Sequence, residues 1–200
     1  MTSRSGPAIG LFGGSFNPAH PGHRHVADAG LRELALDQVW WMVSPQNPLK
    51  PTQPPAKQRA KTIERLDLPY AMRISHIETD LGTRYTSELI AELKERYPRH
   101  RFILMMGSDN LSQLPKWKRW RRIVASVPIA VIARPSDPIR SRLGLAARVL
   151  SPYRVPESQA HSLKDRTPPC WTYLTLPLSP FSSSEIRADS SRAQDVELAR

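Results

Sequence analysis

His20 and His23 stand three residues apart in the run GLFGGSFNPAHPGHRH, from Gly10 to His25. Side chains at that spacing share one side of a helical turn, and imidazole N–H groups donate well to phosphate oxygens. The run around them supplies a place for such an anion. Ala8, Ile9, Leu11 and Phe12 read as a buried strand that Gly13 and Gly14 are expected to break, Ser15 and Phe16 follow in the turn, and Pro18 and Pro21 bracket it. Pro21 suits the first helical position, where its missing N–H costs nothing. Strand, glycine turn and helix in succession put backbone N–H groups and a positive helix end at the carboxyl edge of a parallel sheet, which is an anion site.

Four further polar pieces follow strands or sit in loops: Lys50, Tyr85-Thr86, Gly107-Ser108-Asp109, and Ser182 to Arg187 (SSSEIR). In a doubly wound sheet such positions converge on one crevice. Lysine, arginine, imidazole and hydroxyl groups together suit the non-bridging oxygens of a phosphoryl group in its transition state. An ionised Asp109 suits a pair of sugar hydroxyls, and it equally suits a helix cap. No serine has a general base at a recognisable spacing and Cys170 falls in an expected strand, so direct transfer between two bound substrates is favoured over a covalent intermediate.

The elements that must position these groups are legible from hydrophobic pattern. Pro21 to Leu36 reads as a helix with Ala27, Leu31 and Leu34 inward, and Val39 to Ser44 as a buried strand. The prolines of PQNPLKPTQPP make the next segment a loop. A helix from Ala56 to about Asp67, a strand from Met72 to Ile77, and a helix from Thr86, as N-cap, to about Tyr97 come next. Arg101 to Met106 reads as a strand, Leu114 to Val124 as a helix, Pro128 to Ala133 as a strand and Cys170 to Leu176 as a last strand. Strands alternating with helices predict a single α/β domain with a parallel, doubly wound, Rossmann-like sheet. Its core is expected over about 7–134 and 170–188, with 136–169 as an irregular insert or lid. Ser182 and Glu185 make a capping-box pattern at the start of a short final helix.

Composition narrows the partners. The chain has 200 residues, 29 Lys and Arg against 18 Asp and Glu, and a net charge of +11, which suits anionic partners such as polyphosphates or nucleic acid. One cysteine excludes an internal disulfide, and no run approaches the roughly 18 apolar residues of a membrane span. A cytoplasmic protein without a membrane partner is the expectation.

GGSFNPAHPGH resembles the signature of the HxGH nucleotidyltransferase superfamily, with Asn17 where many members have Asp. Phe181 to Arg187 is similar to the ISSTxIR motif of that family, with Phe181 for Ile and Ser184 for Thr. Arg84-Tyr85-Thr86, Gly107 to Leu111 (GSDNL) and Trp117 within LPKWKRW resemble elements of the bacterial nicotinate-nucleotide adenylyltransferases. On helical spacing alone Trp117 shares a stripe with Trp120 and reads as a core aromatic; only the matching neighbourhood makes it a ring platform.

The resemblance implies transfer of AMP from ATP to nicotinate mononucleotide, giving deamido-NAD and pyrophosphate. It implies catalytic roles for His20, His23 and Arg187, and an ATP site of Gly13, Gly14, Phe16, His20, His23, Lys50, Ser182, Ser184 and Arg187. It implies a mononucleotide site of Ser15, Lys50, Tyr85, Thr86, Gly107, Asp109 and Trp117. Mg²⁺ is expected to arrive with ATP, held by phosphates and water, since no dedicated carboxylate cage is visible. The rival readings are a pantetheine-phosphate adenylyltransferase, a cytidylyltransferase or a nucleic-acid-binding module. Against the last stands the lack of a recognisable nucleic-acid-binding motif.

Overall fold

The computed structural model describes residues 6–45, 52–83, 85–133 and 143–175. Six strands form one sheet: β1 (Ala8–Gly14), β2 (Gln38–Val43), β3 (Met72–Ser75), β4 (Arg101–Gly107), β5 (Ile129–Ile132) and β6 (Trp171–Leu174). Every pairing is parallel and the order is β3-β2-β1-β4-β5-β6. The chain winds outward from β1 to β3, then restarts at β4 on β1's other side. This order places a topological switch point between β1 and β4, where the connections leave in opposite directions and open a crevice at the carboxyl ends.

The sheet is covered on both faces, which is why its central strands β1, β4 and β5 read as near-continuous apolar runs instead of alternating. Ile9, Leu11, Trp40, Met42, Leu104 and Met106 face one core, shared with helix α4 (Thr86–Arg96) and helix α6 (Trp120–Ser126). Phe12, Val39, Trp41, Ile103 and Met105 face the other, packed by helices α1 (Pro21–Glu33) and α2 (Ala56–Glu64). Close approach of α1 to the sheet needs glycine: a Cβ on Gly30 would stand 2.0 Å from Met105 Cε, and one on Gly10 2.4 Å from Met105 Sδ.

Several local expectations are corrected. Gly13 and Gly14 continue β1, paired with Met42 and Val43, and the turn starts only at Ser15, with Phe16 at φ 47°. Helix α1 stops at Glu33, and Ala35 is left-handed at φ 48°. Thr86 is the first helical residue of α4, while Tyr85 is the extended residue before it and makes no side-chain cap.

The expected helix 114–124 is two pieces, a 3-10 turn (Leu114–Lys116) and α6, with α5 (Ser108–Gln113) before them as a separate short helix. Pro115 opens the tight turn, Trp117 is extended, and Arg119 at φ 56° starts α6 from a left-handed residue. Trp117 and Trp120 therefore belong to no common helix stripe.

Residues 143–170 contribute to the core. A short helix (Leu145–Leu150) buries Ala146, Ala147 and Leu150, and a 3-10 segment (Glu157–Asp165) buries Ala160 and Leu163. Val155 N–H donates to Trp171 O at 2.7 Å, and Trp171 Nε1 donates to Leu150 O at 2.7 Å, so this segment closes the outer edge of β6.

Candidate active site

The anion end of the crevice is built by the turn after β1. His20 is the N-cap of α1: its Nδ1 accepts from Gly22 N–H at 3.1 Å, and His20 N–H donates to His23 Nδ1 at 3.3 Å. This is a capping box made of two histidines, with Pro21 in the first turn as expected. A nitrogen that accepts a backbone N–H carries no proton, so each neutral ring is protonated on Nε2 and is a donor there. The two imidazoles are buried, with ring centroids 3.9 Å apart. His23 rests on Phe16 at 5.2 Å and Phe12 at 6.3 Å. The aromatic bed holds the His23 ring against the sheet, and His20 packs on His23.

Helix α2, which sequence reading left without a role, braces this turn. Arg59 is 1% exposed, and its guanidinium donates to four carbonyls: Ser15 O and Ser44 O, Pro54 O at 2.8 Å and Pro45 O at 3.0 Å. Thr62 Oγ1 accepts from Ala19 N–H at 2.9 Å and donates to Arg59 O at 2.6 Å. A lone arginine in a polar helix reads as solvated surface, so only its i, i+3 pairing with Thr62 was a signal.

The second half of the crevice lies on the opposite face of β1's carboxyl end. Leu11, Gly13, Met42, Glu78, Thr86 and Trp117 line an apolar slot there, floored by Leu104 and Met106. A Cβ on Gly13 would meet nothing within 4 Å, so the strand backbone itself is open to a ligand. Trp117 is half-buried at this slot, and Tyr85 beside it carries the Lys118 ammonium 3.8 Å above its ring. Glu78, from the short helix α3 (Ile77–Asp80), is the one ionisable group of the lining among the described residues. Burial pushes its carboxyl up to about 7, with Arg59 pulling the other way. Sequence reading also missed this residue, since an acid in a polar connection gives no sign of burial.

Gly107 ends β4 and Asp109 is the second residue of α5, so both stand at the same sheet edge as Gly13 and Gly14. Gly107, not Asp109, is the N-cap of that helix. The structure thus brings together Gly13, Gly14, Ser15, Phe16, His20, His23, Tyr85, Thr86, Gly107, Asp109 and Trp117 around the carboxyl ends of β1 and β4. Lys50, Arg84, Ser182, Ser184 and Arg187 lie outside the described residues. Cys170 sits at the other end of the sheet, buried before β6, and burial raises its thiol pKa. It has neither the position nor the ionisation of a nucleophile.

Among the described residues, no group of three or more His, Cys, Asp or Glu side chains could hold a metal ion, and no helix is long and apolar enough to cross a membrane.

Comparison with known proteins agrees with this geometry. The cytidylyltransferase-like family model matches residues 11–189. A protein of Ruegeria sp. (strain TM1040) named "Probable nicotinate-nucleotide adenylyltransferase" is 46% identical over 181 residues, covering 90% of this chain and 95% of its own. One of the same name from Cereibacter sphaeroides is 45% identical over 181 residues, covering 90% and 96%. Among solved structures, the Plasmodium falciparum nicotinic acid mononucleotide adenylyltransferase complexed with NaAD superposes with a TM-score of 0.69, covering 92% of this chain and 83% of that one. At 18% identity that likeness is one of fold.

Proposed function

The chain belongs to the cytidylyltransferase-like family, and from that premise we propose that it is a nicotinate-nucleotide adenylyltransferase acting in NAD biosynthesis. The observation that carries the reading is the arrangement about one strand end. Two Nε2–H donors lie on one face of β1 and an apolar, tryptophan-lined slot on the other, joined across Gly13 and Gly14. A molecule with an aromatic ring and a phosphate fits across that edge, with its phosphate on the histidine side. Relatives more than 40% identical over most of the chain bear the name of that activity.

The 5′-phosphate oxygen of nicotinate mononucleotide attacks the α-phosphorus of ATP in line. A P–O bond forms as the bond between the α-phosphorus and the bridging oxygen to the β-phosphate breaks, and pyrophosphate leaves with that electron pair. His20 and His23 donate from Nε2 to the non-bridging oxygens, whose charge grows in the transition state. Their capped, buried rings need no reorientation as the charge develops. Lys50, Ser182, Ser184 and Arg187 hold the triphosphate, as their motifs suggest, with Gly13 and Gly14 at the strand end and Phe16 in the turn beneath it.

Trp117 stacks on the pyridine ring, Tyr85 and Thr86 flank its carboxylate, Asp109 accepts from sugar hydroxyls, and Ser15 and Gly107 bound the phosphate and ribose. Mg²⁺ enters as part of the ATP substrate, carried by phosphates and water. Bound to ATP, it would supply positive charge beside the pyrophosphate. The protein works in the cytoplasm on these small molecules, with no nucleic acid or membrane partner.

The test is product identity and stereochemistry. ATP and nicotinate mononucleotide should give deamido-NAD by mass, and an α-thio analogue of ATP should react with inversion at phosphorus. Retention would show a covalent intermediate and overturn the direct transfer.

A further inference from the structure

We propose that helix α2 is the positioning element of this site, with Arg59 and Thr62 as positioning residues that hold the histidine turn in register with the chain leaving β2. The inference rests on the reading above for what the turn does. Arg59 donates to Ser15 O in the turn, to Ser44 O and Pro45 O just after β2, and to Pro54 O just before α2. One planar fork thereby ties three chain segments just beyond the end of the β1–β2 ladder, whose last pair is Gly14 and Val43. A guanidinium buried this deeply keeps its arrangement because the carbonyls it donates to are in place, so the cation and the segments fix one another.

Thr62, three residues on, holds the far end of the same turn through Ala19 N–H, and Ala19 immediately precedes the His20 cap. The turn is therefore held at Ser15 and at Ala19 from a single helix face. Ser44 N–H adds a third tie to Gly14 O at 3.3 Å.

The two halves of the crevice give this role a signature. The α2 contacts lie on the face of the sheet that carries the histidines, while Trp117 and Thr86 belong to the other face. Loosening α2 should displace the donors from the transition state and leave the ring slot as it was. Arg59→Lys keeps the charge beside Glu78 but presents only a point donor, and Thr62→Val keeps the shape while removing the oxygen.

The experiment measures kcat and both KM values for Arg59→Lys and Thr62→Val well below each variant's melting temperature. It also records the imidazole ¹⁵N shifts of His20 and His23 in the ligand-free protein. We expect kcat to fall by roughly tenfold or more for Arg59→Lys, the scale on which small misplacements of reacting groups act, and by a smaller factor for Thr62→Val. The mononucleotide KM, which Ser15 alone links to the brace, should change far less than kcat, and the histidine shifts should move from Nε2–H towards mixed tautomers. If Arg59→Lys does not fold, Thr62→Val decides. Normal kcat with unmoved histidine shifts in a folded variant overturns the proposal, as does a loss spread equally over kcat and the mononucleotide KM. Turnover by the unmodified protein tests the functional reading separately, and the histidine spectra report on the brace whichever acceptor it uses.

Discussion

The backbone N–H of His20 donates to His23 Nδ1 at 3.3 Å, and the two rings lie 3.9 Å apart, so one pair of residues both caps α1 and sets its own tautomers. Capping and donation use different nitrogens and can be separated. His23→Asn offers an oxygen in place of Nδ1 but has no group at the Nε2 position; His23→Ala has neither. Both should lose on the order of 10²–10³ in kcat, the usual effect of deleting one transition-state donor. Only the alanine variant should also lose about 1 kcal/mol of stability, the typical worth of a cap. Single-turnover pyrophosphate release with thermal melts separates the two effects, and a rate within a few-fold of normal in either variant would remove His23 from the chemistry.

Trp117 and Trp120 should fail in different ways. Trp117 is extended and half-buried at the slot, whereas Trp120 is 8% exposed in the core of α6. Trp117→Ala should raise the mononucleotide KM by roughly 10- to 100-fold, from about 1–3 kcal/mol of lost stacking, with the KM for ATP unchanged. Trp120→Ala should cost about 3–5 kcal/mol of stability. Steady-state kinetics and urea melts of the pair check this, and a Trp117→Ala protein that melts early with normal KM would make Trp117 a core residue.

Glu78 makes stability depend on pH with a definite sign. Burial raises its folded pKa to about 7 from the ordinary carboxyl value of 4.5, so the native state binds the extra proton between those values. Folding stability should fall as pH rises through that window, by about 3 kcal/mol at most. Glu78→Gln should match the unmodified protein near pH 4 and exceed it above pH 7. The same ionisation puts a negative charge in the slot, so the KM for an anionic ring substrate should rise between pH 6 and 8 and flatten in Glu78→Gln. Melts and KM values across pH 4–8.5 test both, and a parallel pH dependence in the two proteins would contradict the assignment.

Much of this molecule is visible in its sequence because the parallel sheet requires long apolar runs and the crevice uses small motifs with fixed spacing. The runs around Leu11, Trp41, Leu104 and Val131 became β1, β2, β4 and β5, and the His20 and His23 spacing placed both rings on α1. What escaped is what periodicity does not encode. Pro115 and the left-handed Arg119 cut an expected helix in two. Residues 157–165 wind as a 3-10 segment, whose period of three hides its buried Ala160 and Leu163. Arg59 and Glu78 are charged residues whose burial depends on contacts distant in sequence. Such groups look like solvent-facing polar residues until the chain is folded.

The central claim is the identity of the acceptor, and the measurement that tests it most directly is pyrophosphate release with ATP and Mg²⁺. Nicotinate mononucleotide, nicotinamide mononucleotide and phosphopantetheine should be compared in parallel as kcat/KM. Nicotinate mononucleotide should be used far better than the amide, because the Tyr85 and Thr86 hydroxyls assigned to the ring carboxylate would meet the amide's own NH₂ donors, and phosphopantetheine should be inert. Equal use of the two mononucleotides would contradict that assignment, and turnover with phosphopantetheine alone would contradict the acceptor assignment outright.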